Sequence, residues 1–307
     1  MQTYRSTFKS AGLGLDTQLY PMRLWHKAKK LGIWNPQDLD FSRDVQDWLA
    51  LTDRERDLLL RLTGQFQGGE ESVTYDLLPL LLVMAEEGRL EEEMFLTSYL
   101  WEEAKHVEGF SRFLKEVTGT HGGLEHYYTD AYKTIFFDVL PRSMNRLRED
   151  RMPETLAEAA VTYQMIVEGV LAETGYHAYY TVLERHDLLP GLREMVRYIQ
   201  RDESRHIGYG VFLLSRLVAE HGEAIWSLID RQMQTLIPVA VQHIGQSLEP
   251  YGDDLPFGIT VDEFIDFGMA QFQKRYARIE RARRQSLEEV LYGRSSSGDG
   301  TLDEADL

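Results

Sequence analysis

Apolar positions recur at intervals of three and four along nearly the whole chain, and the strict alternation of a half-buried strand is missing. The pattern predicts an almost entirely helical protein. After a short helical and loop-rich entry to about residue 50, Thr52 stands as an N-cap with Glu55 three positions on. This capping-box pattern opens a helix running to about Met84. Further helices are predicted over about 90–117, 124–149 with an interruption near Pro141, 153–185, 190–221, 223–248 and 261–283. Pro153 and Pro190 suit first helical turns, and Gly119 and Gly222 follow helix ends. Several of these segments are more than twice the globular mean of about 11–12 residues. The expected fold class is therefore all-α, a bundle of long helices.

Composition narrows the setting. Only 9 prolines occur in 307 residues and no Pro/Gly/Ser-rich linker interrupts residues 15–283, so one domain is expected over 1–291. From about Gln285 the chain turns polar, acidic and glycine-bearing, and residues 292–307 are expected to form a flexible acidic tail. A formal charge of −17 argues against a nucleic-acid partner and an anionic membrane surface. With no cysteine, disulfides and thiolate metal sites are excluded. The opening MQTYRSTFKSAGLGLD has no apolar core of a secretory signal. The longest apolar run, LLPLLLVMA from residue 77, falls far short of the ~20 residues that span a bilayer. A soluble, cytoplasmic protein without a membrane span is expected.

Chemistry enters with two related stretches, WEEAKHVEGF from residue 101 and RDESRHIGYG from residue 201. In the first, Leu96, Tyr99, Glu103, His106, Phe110 and Phe113 follow one another at helical spacing. In the second, Val196, Ile199, Glu203, His206, Gly210 and Leu213 do the same. Each Glu-x-x-His thus lies in the middle of an inward stripe, where a carboxylate costs several kcal/mol unless something positive meets it. Two more acids interrupt apolar stripes. Glu70 is flanked by Phe66, Val73 and Leu77, and Glu168 by Val161, Met165 and Ala172. Glu71 points about 100° away from Glu70 and is expected at the surface. The set Glu, Glu-x-x-His, Glu, Glu-x-x-His is that of ferritin-like di-iron and di-manganese carboxylate proteins. Six such ligands without sulfur suit iron and manganese better than copper or structural zinc.

Over about residues 50–285 the chain resembles the ferritin-like superfamily. More narrowly, it resembles ribonucleotide reductase small subunits and their offshoot, the small-subunit-like ligand-binding oxidases. The segments GGEESVTYDLLPL (68–80), WEEAKH (101–106), TYQMIVEGVLAETGY (162–176) and RDESRH (201–206) look like the oxidase branch. The resemblance implies a manganese/iron pair (di-iron being an accessible variant), O2 as oxidant, and a long-chain fatty acid or similar hydrophobic ligand whose carboxylate reaches the metals. It implies Glu70, Glu103 and His106 on manganese and Glu168, Glu203 and His206 on iron, with Glu103 and Glu203 able to bridge. It also implies an ether bond between Val73 and Tyr163, a hydrogen bond from His106 to Asp202, and a homodimer.

Several residues qualify the resemblance. Phe110 stands where most tyrosyl-radical reductase subunits carry tyrosine, which argues against a stored radical there without excluding reductases that use manganese/iron directly. The tail GTLDEADL is acidic like a reductase docking tail but has no aromatic residue. Gly68 and Gly69 weaken their helix by roughly 1 kcal/mol each, and either make room for a ligand or let helices approach. Tyr176, His177, Tyr179 and Tyr180 are expected as core and helix contacts. The rival functions are a metal-radical reductase small subunit, an iron-storage protein and a metal-free helical scaffold.

Overall fold

The computed structural model describes residues 7–293, and the tail expected at 292–307 lies, beyond Gly293, outside the described residues. No strand occurs among the described residues. In chain order the main helices are α1 (Tyr20–Leu31), α2 (Ser42–Ala50), α3 (Asp53–Asp76), α4 (Leu78–Glu86), α5 (Leu90–Phe113), α6 (Leu140–Arg146), α7 (Pro153–Ala160), α8 (Glu173–Arg185), α9 (Pro190–His221), α10 (Glu223–Leu248) and α11 (Val261–Arg281).

Local chemistry explains the boundaries. Thr52 Oγ1 accepts Glu55 N–H and the Glu55 carboxylate accepts Thr52 N–H (2.7 Å), so both halves of the capping box form; such a cap is worth about 1 kcal/mol. The helix expected to run to Met84 is divided at Leu77, because Pro79 cannot donate into the preceding turn. The segment 124–149 is more broken than its periodicity suggests. It consists of a 3-10 turn (Glu125–Tyr127), one α-turn (Asp130–Lys133), a π-helical stretch (Thr134–Val139) and α6, whose first turn holds Pro141.

Between α7 and α8 the chain stays helical but widens into a π-helix over Val161–Ala172. Such stretches are rare, and functional sites use them more often than their frequency suggests. Here the wider turn has a direct consequence. Tyr163 and Glu168 lie five residues apart, about 140° from each other around an α-helix, but one turn apart and on a shared face in a π-helix.

The π-helix, α3, α5 and α9 form the four-helix core, with α1, α10 and α11 packed around it. Two apolar clusters fill it. One includes Val73, Leu96, Tyr99, Tyr163 and Leu213; the other includes Phe110, Phe113, Tyr176, Val196 and Ile199. Each inward stripe therefore begins in one cluster and ends in the other, with its acid and imidazole at the seam. Each buried Leu or Phe contributes about 1.5–3 kcal/mol, and together they offset the cost of enclosing charge between them.

Candidate metal centre

α3 contributes Glu70, α5 contributes Glu103 and His106, the π-helix Glu168, and α9 Glu203 and His206. All six are at most 5% exposed, while Glu71 points to solvent. Their ligand atoms form two groups, Glu70–Glu103–His106–Glu203 and Glu103–Glu168–Glu203–His206, each with its atoms within 4.8 Å of one another. The groups share Glu103 and Glu203. Glu103 presents Oε2 to His106 Nδ1 (3.6 Å) and Oε1 to His206 Nδ1 (3.1 Å). Glu203 presents Oε1 to His106 Nδ1 (3.5 Å) and Oε2 to His206 Nδ1 (3.4 Å). Two carboxylates that each offer one oxygen to either side are suited to bridge two cations.

The donor atoms are poorly satisfied by the protein itself. Both oxygens of Glu103, Glu168 Oε2, Glu203 Oε2 and His206 Nδ1 are buried without a hydrogen-bond partner. Buried polar atoms of this kind cost several kcal/mol in aggregate, and hard divalent cations would meet them. Without cations the cluster relies on protons. Burial raises the Glu70 carboxyl to about 8 although the His106 charge opposes it. Burial, then the Glu203 charge, holds Glu168 well above the carboxylate range. Burial opposes charging of His106 and His206, yet the charges of Glu70 and Glu203 and nearby carboxylate contacts outweigh it, and both imidazoles hold their protons well above the usual pH. Glu103 is also disfavoured by burial, but the two imidazoles bring it down to about 2.

The outward nitrogens of the imidazoles meet a crosswise set of partners. His106 Nε2 faces Asp202 Oδ2 (3.4 Å), the partner expected for it, and His206 Nε2 faces Glu102 Oε2 (2.9 Å). Asp202 is fully enclosed and also accepts from Trp34 Nε1 (2.7 Å), Lys105 Nζ (3.2 Å) and Arg205 Nη2 (2.6 Å). Arg205 Nη2 donates to Glu102 Oε1 as well (2.7 Å). Glu102 turns away from the cluster's centre, and its role toward His206 was not foreseen. The signal was present in the matching positions of EEAKH and DESRH.

Two tyrosines also belong to the site. Tyr99 lies on the predicted stripe; its ring stacks on His206 (centroids 3.6 Å apart) and its hydroxyl donates to Glu168 Oε1. Burial, then the Glu168 charge, keeps that phenol protonated. Tyr176, expected as an ordinary core contact, donates to Glu203 Oε1 (3.4 Å). Its neighbours match the expectation: Tyr179 meets Thr63 Oγ1 (2.8 Å) and His177 stacks on Phe267. Phe110 is fully buried and stacks on Phe66. Tyr163 is fully buried and donates to the carbonyl of Val73 (3.0 Å), which brings the phenol to that residue.

Beside the acids lies a cavity lined by α3 from Leu58 to Val73 and by Glu70, Glu168 and Glu203. The fifteen helical steps from Leu58 to Val73 correspond to about 22 Å of length, and most of the wall is apolar. The two glycines divide the roles considered for them. A side chain at Gly68 would run into the hydroxyls of Tyr128 and Tyr132, so that glycine permits close approach, whereas Gly69 lines the cavity.

The model of the ribonucleotide reductase small chain matches residues 21–267. A solved R2-like ligand-binding oxidase with an aerobically reconstituted Mn/Fe cofactor is 36% identical, with 91% of this chain and 99% of that chain covered and a TM-score of 0.87. A tyrosine-to-phenylalanine variant of an R2-like ligand-binding oxidase, also with aerobically reconstituted Mn/Fe, is 37% identical over 91% of this chain and 100% of that one, with a TM-score of 0.85. A valine-to-leucine variant reconstituted anaerobically gives the same identity, coverage and TM-score.

Proposed function

Because the chain belongs to the ribonucleotide reductase small-chain family, and within it to the R2-like ligand-binding oxidases, we propose that it is an O2-dependent Mn/Fe oxidase acting on a C–H bond beside its buried carboxylate cluster. It is a metal-dependent oxidoreductase. In this reading Glu70, Glu103 and His106 hold manganese, Glu168, Glu203 and His206 hold iron, and Glu103 and Glu203 lie between them. The observation that carries it is the pair of donor groups sharing those two glutamates. Bound there, the metals supply one-electron redox chemistry with dioxygen.

The chain's own residues supply the rest. Asp202 and Glu102 fix the orientation of the two imidazoles from behind, as outer hydrogen-bond partners of metal-ligating histidines do. Tyr99 occupies one oxygen of Glu168 and leaves the other facing the cluster. The cavity takes a long-chain fatty acid with its carboxylate toward Glu70, Glu168 and Glu203 and its chain along α3. A homodimer is proposed with it, on the family resemblance alone.

Val73 and Tyr163 are the first substrate in this proposal. The bond formed is Val73 Cβ–Tyr163 Oη; the bonds broken are Val73 Cβ–H and Tyr163 Oη–H, and two electrons and two protons pass to dioxygen. The contact between Tyr163 Oη and the Val73 carbonyl supports this pairing, and the absence of a hydroxyl at Phe110 favours the oxidase over a tyrosyl-radical reductase. Peptide mapping after aerobic Mn/Fe loading tests it. A Val73/Tyr163 cross-linked peptide two hydrogens lighter than its parts is expected and should vanish in Tyr163→Phe; recovery of only separate peptides from aerobically loaded protein would refute the self-oxidation.

A further inference from the structure

The chemistry above leaves a buried arginine unused. Arg275 lies on α11, 2% exposed, with its side chain against the π-helix. Its Nη1 donates within its own helix, to the carbonyl (3.2 Å) and the side chain of Gln271. Its Nη2 reaches the Glu173 carboxylate only at 3.6 Å, and its Nε is buried without a hydrogen-bond partner. A guanidinium enclosed on these terms loses more hydration than one long ion pair returns, and apolar residues of similar volume often serve stability as well. What such a pair does well is to fix one arrangement of the chain over another.

The place Arg275 occupies is specific. Gly169 follows Glu168 and has no side chain, and Arg275 Nε and Cδ lie 3.5 and 3.7 Å from where its Cβ would stand. Glu173, the acid that Arg275 meets, opens α8, and its N–H donates to the carbonyl of Glu168. Arg275 therefore touches both ends of a single π-turn, the one that starts from Glu168. α11 can approach this closely because Gly268, two turns before Arg275 on the same face, is bare as well. A Cβ there would lie 2.9 Å from Thr174 Oγ1 and 3.6 Å from Val170 Cγ1. The widened register also leaves a steric mark. A Cβ at Gly169 would stand 2.9 Å from the carbonyl oxygen of Gln164, one π-turn back, whereas alanine suits the interior of an α-helix better than any other residue.

We infer that Arg275 and Glu173 lock this turn in its π register and thereby set where the Glu168 carboxylate stands against Glu203, which makes Arg275 a positioning residue for the second donor group. In an α register the Glu168 carbonyl would accept from Ala172 in place of Glu173. The turn would tighten and rotate about the helix axis, and the carboxylate would move with it. The inference rests on reading Glu168 as a metal ligand.

Three substitutions in the full-length protein test it. Arg275→Met removes the charge and keeps the length, Arg275→Lys keeps the charge, and Gly169→Ala leaves Arg275 intact but sets a methyl against the Gln164 carbonyl. Each protein is loaded with manganese and iron, and the occupancy of each donor group after graded chelator treatment is read by anomalous diffraction. Amide hydrogen exchange over residues 164–173 is followed on the metal-free chains. Arg275→Met and Gly169→Ala should each hold the ion at Glu168–Glu203–His206 about ten-fold less well than the parent, the lower end of the effect of residues that orient metal ligands. The Glu70–Glu103–His106 group should stay close to normal, exchange over 164–173 should rise by about ten-fold, and Arg275→Lys should fall between Arg275→Met and the parent. Retention and exchange equal to the parent's in both Arg275→Met and Gly169→Ala would overturn the inference while the ligand reading stands. So would equal weakening of both donor groups with faster exchange throughout the chain, the signature of a purely structural role. A parent protein that holds no ion at the Glu168 group would overturn both.

Discussion

Glu102 and Asp202 each stand one residue before a proposed ligand, and each reaches across to the other motif's histidine. The bases inside the motifs cross as well, Lys105 to Asp202 and Arg205 to Glu102. The repeated acid–Glu–x–base–His pattern is therefore two interlocking half-sites, in which every charged position has a task. Partners behind metal-ligating histidines are worth about 10–100-fold in metal affinity. Glu102→Gln should lower retention under chelator competition by about that factor at the Glu168–His206 side and leave the Glu70–His106 side close to normal, as read by metal content per chain. Unchanged retention on both sides would show that Glu102 only packs. At this scale the six cluster residues were legible because they interrupt inward stripes. Glu102 and Tyr176 were not, since their roles depend on which neighbouring helix they meet, and Tyr99 was placed on its stripe without a role because an aromatic there also suits a core.

Among the elements, α9 and the π-helix matter most to one another. Gly210 faces Gln164 and Met165 so closely that an added Cβ would meet Gln164 Cβ, lie 2.7 Å from Gln164 Cγ and 3.0 Å from Met165 Cε. Gly210→Ala should therefore destabilise the fold by about 1–3 kcal/mol, the cost of overpacking a close-packed core, measured as a shift in denaturation midpoint. A midpoint within error of the parent would mean that the two elements do not pack so tightly. Helix existence was readable from periodicity, and the ends at Thr52, Gly119, Pro190 and Gly222 from caps and breakers. The π-helix was not, because its sequence is apolar nearly all round and a change from i→i+4 to i→i+5 bonding leaves no mark in such a run. The pieces between Glu125 and Arg146 escaped for a related reason: apolar spacing survives small changes of helical type that break the hydrogen-bond ladder.

For the molecule as a whole, fold and site meet in one charge balance. The core encloses four glutamates and two histidines at the seam of two apolar clusters, and protons compensate where cations do not. His106, His206, Glu70 and Glu168 all have raised pKa values, so near neutral pH they hold protons that bound metals must displace. Raising the pH removes that competitor. Metal affinity should therefore climb between about pH 6 and 8, with net proton release on loading followed in weakly buffered solution. The metal-free chain should move the opposite way: with Glu70 raised from 4.5 to about 8, its contribution to stability is complete below about 4.5 and lost as the pH rises through about 8. Affinity that does not vary with pH would contradict the proton-compensated cluster. The all-helical architecture and the ligand pattern were open to inference from one chain, whereas the cavity wall depends on which residues of helices far apart in sequence come together. Element-specific anomalous diffraction at the manganese and iron edges of the loaded protein tests the central claim most directly. The account predicts one ion in each donor group, manganese at Glu70–Glu103–His106 and iron at Glu168–Glu203–His206, with Glu103 and Glu203 reaching both; a cluster that takes up no ion, or only one, would contradict it.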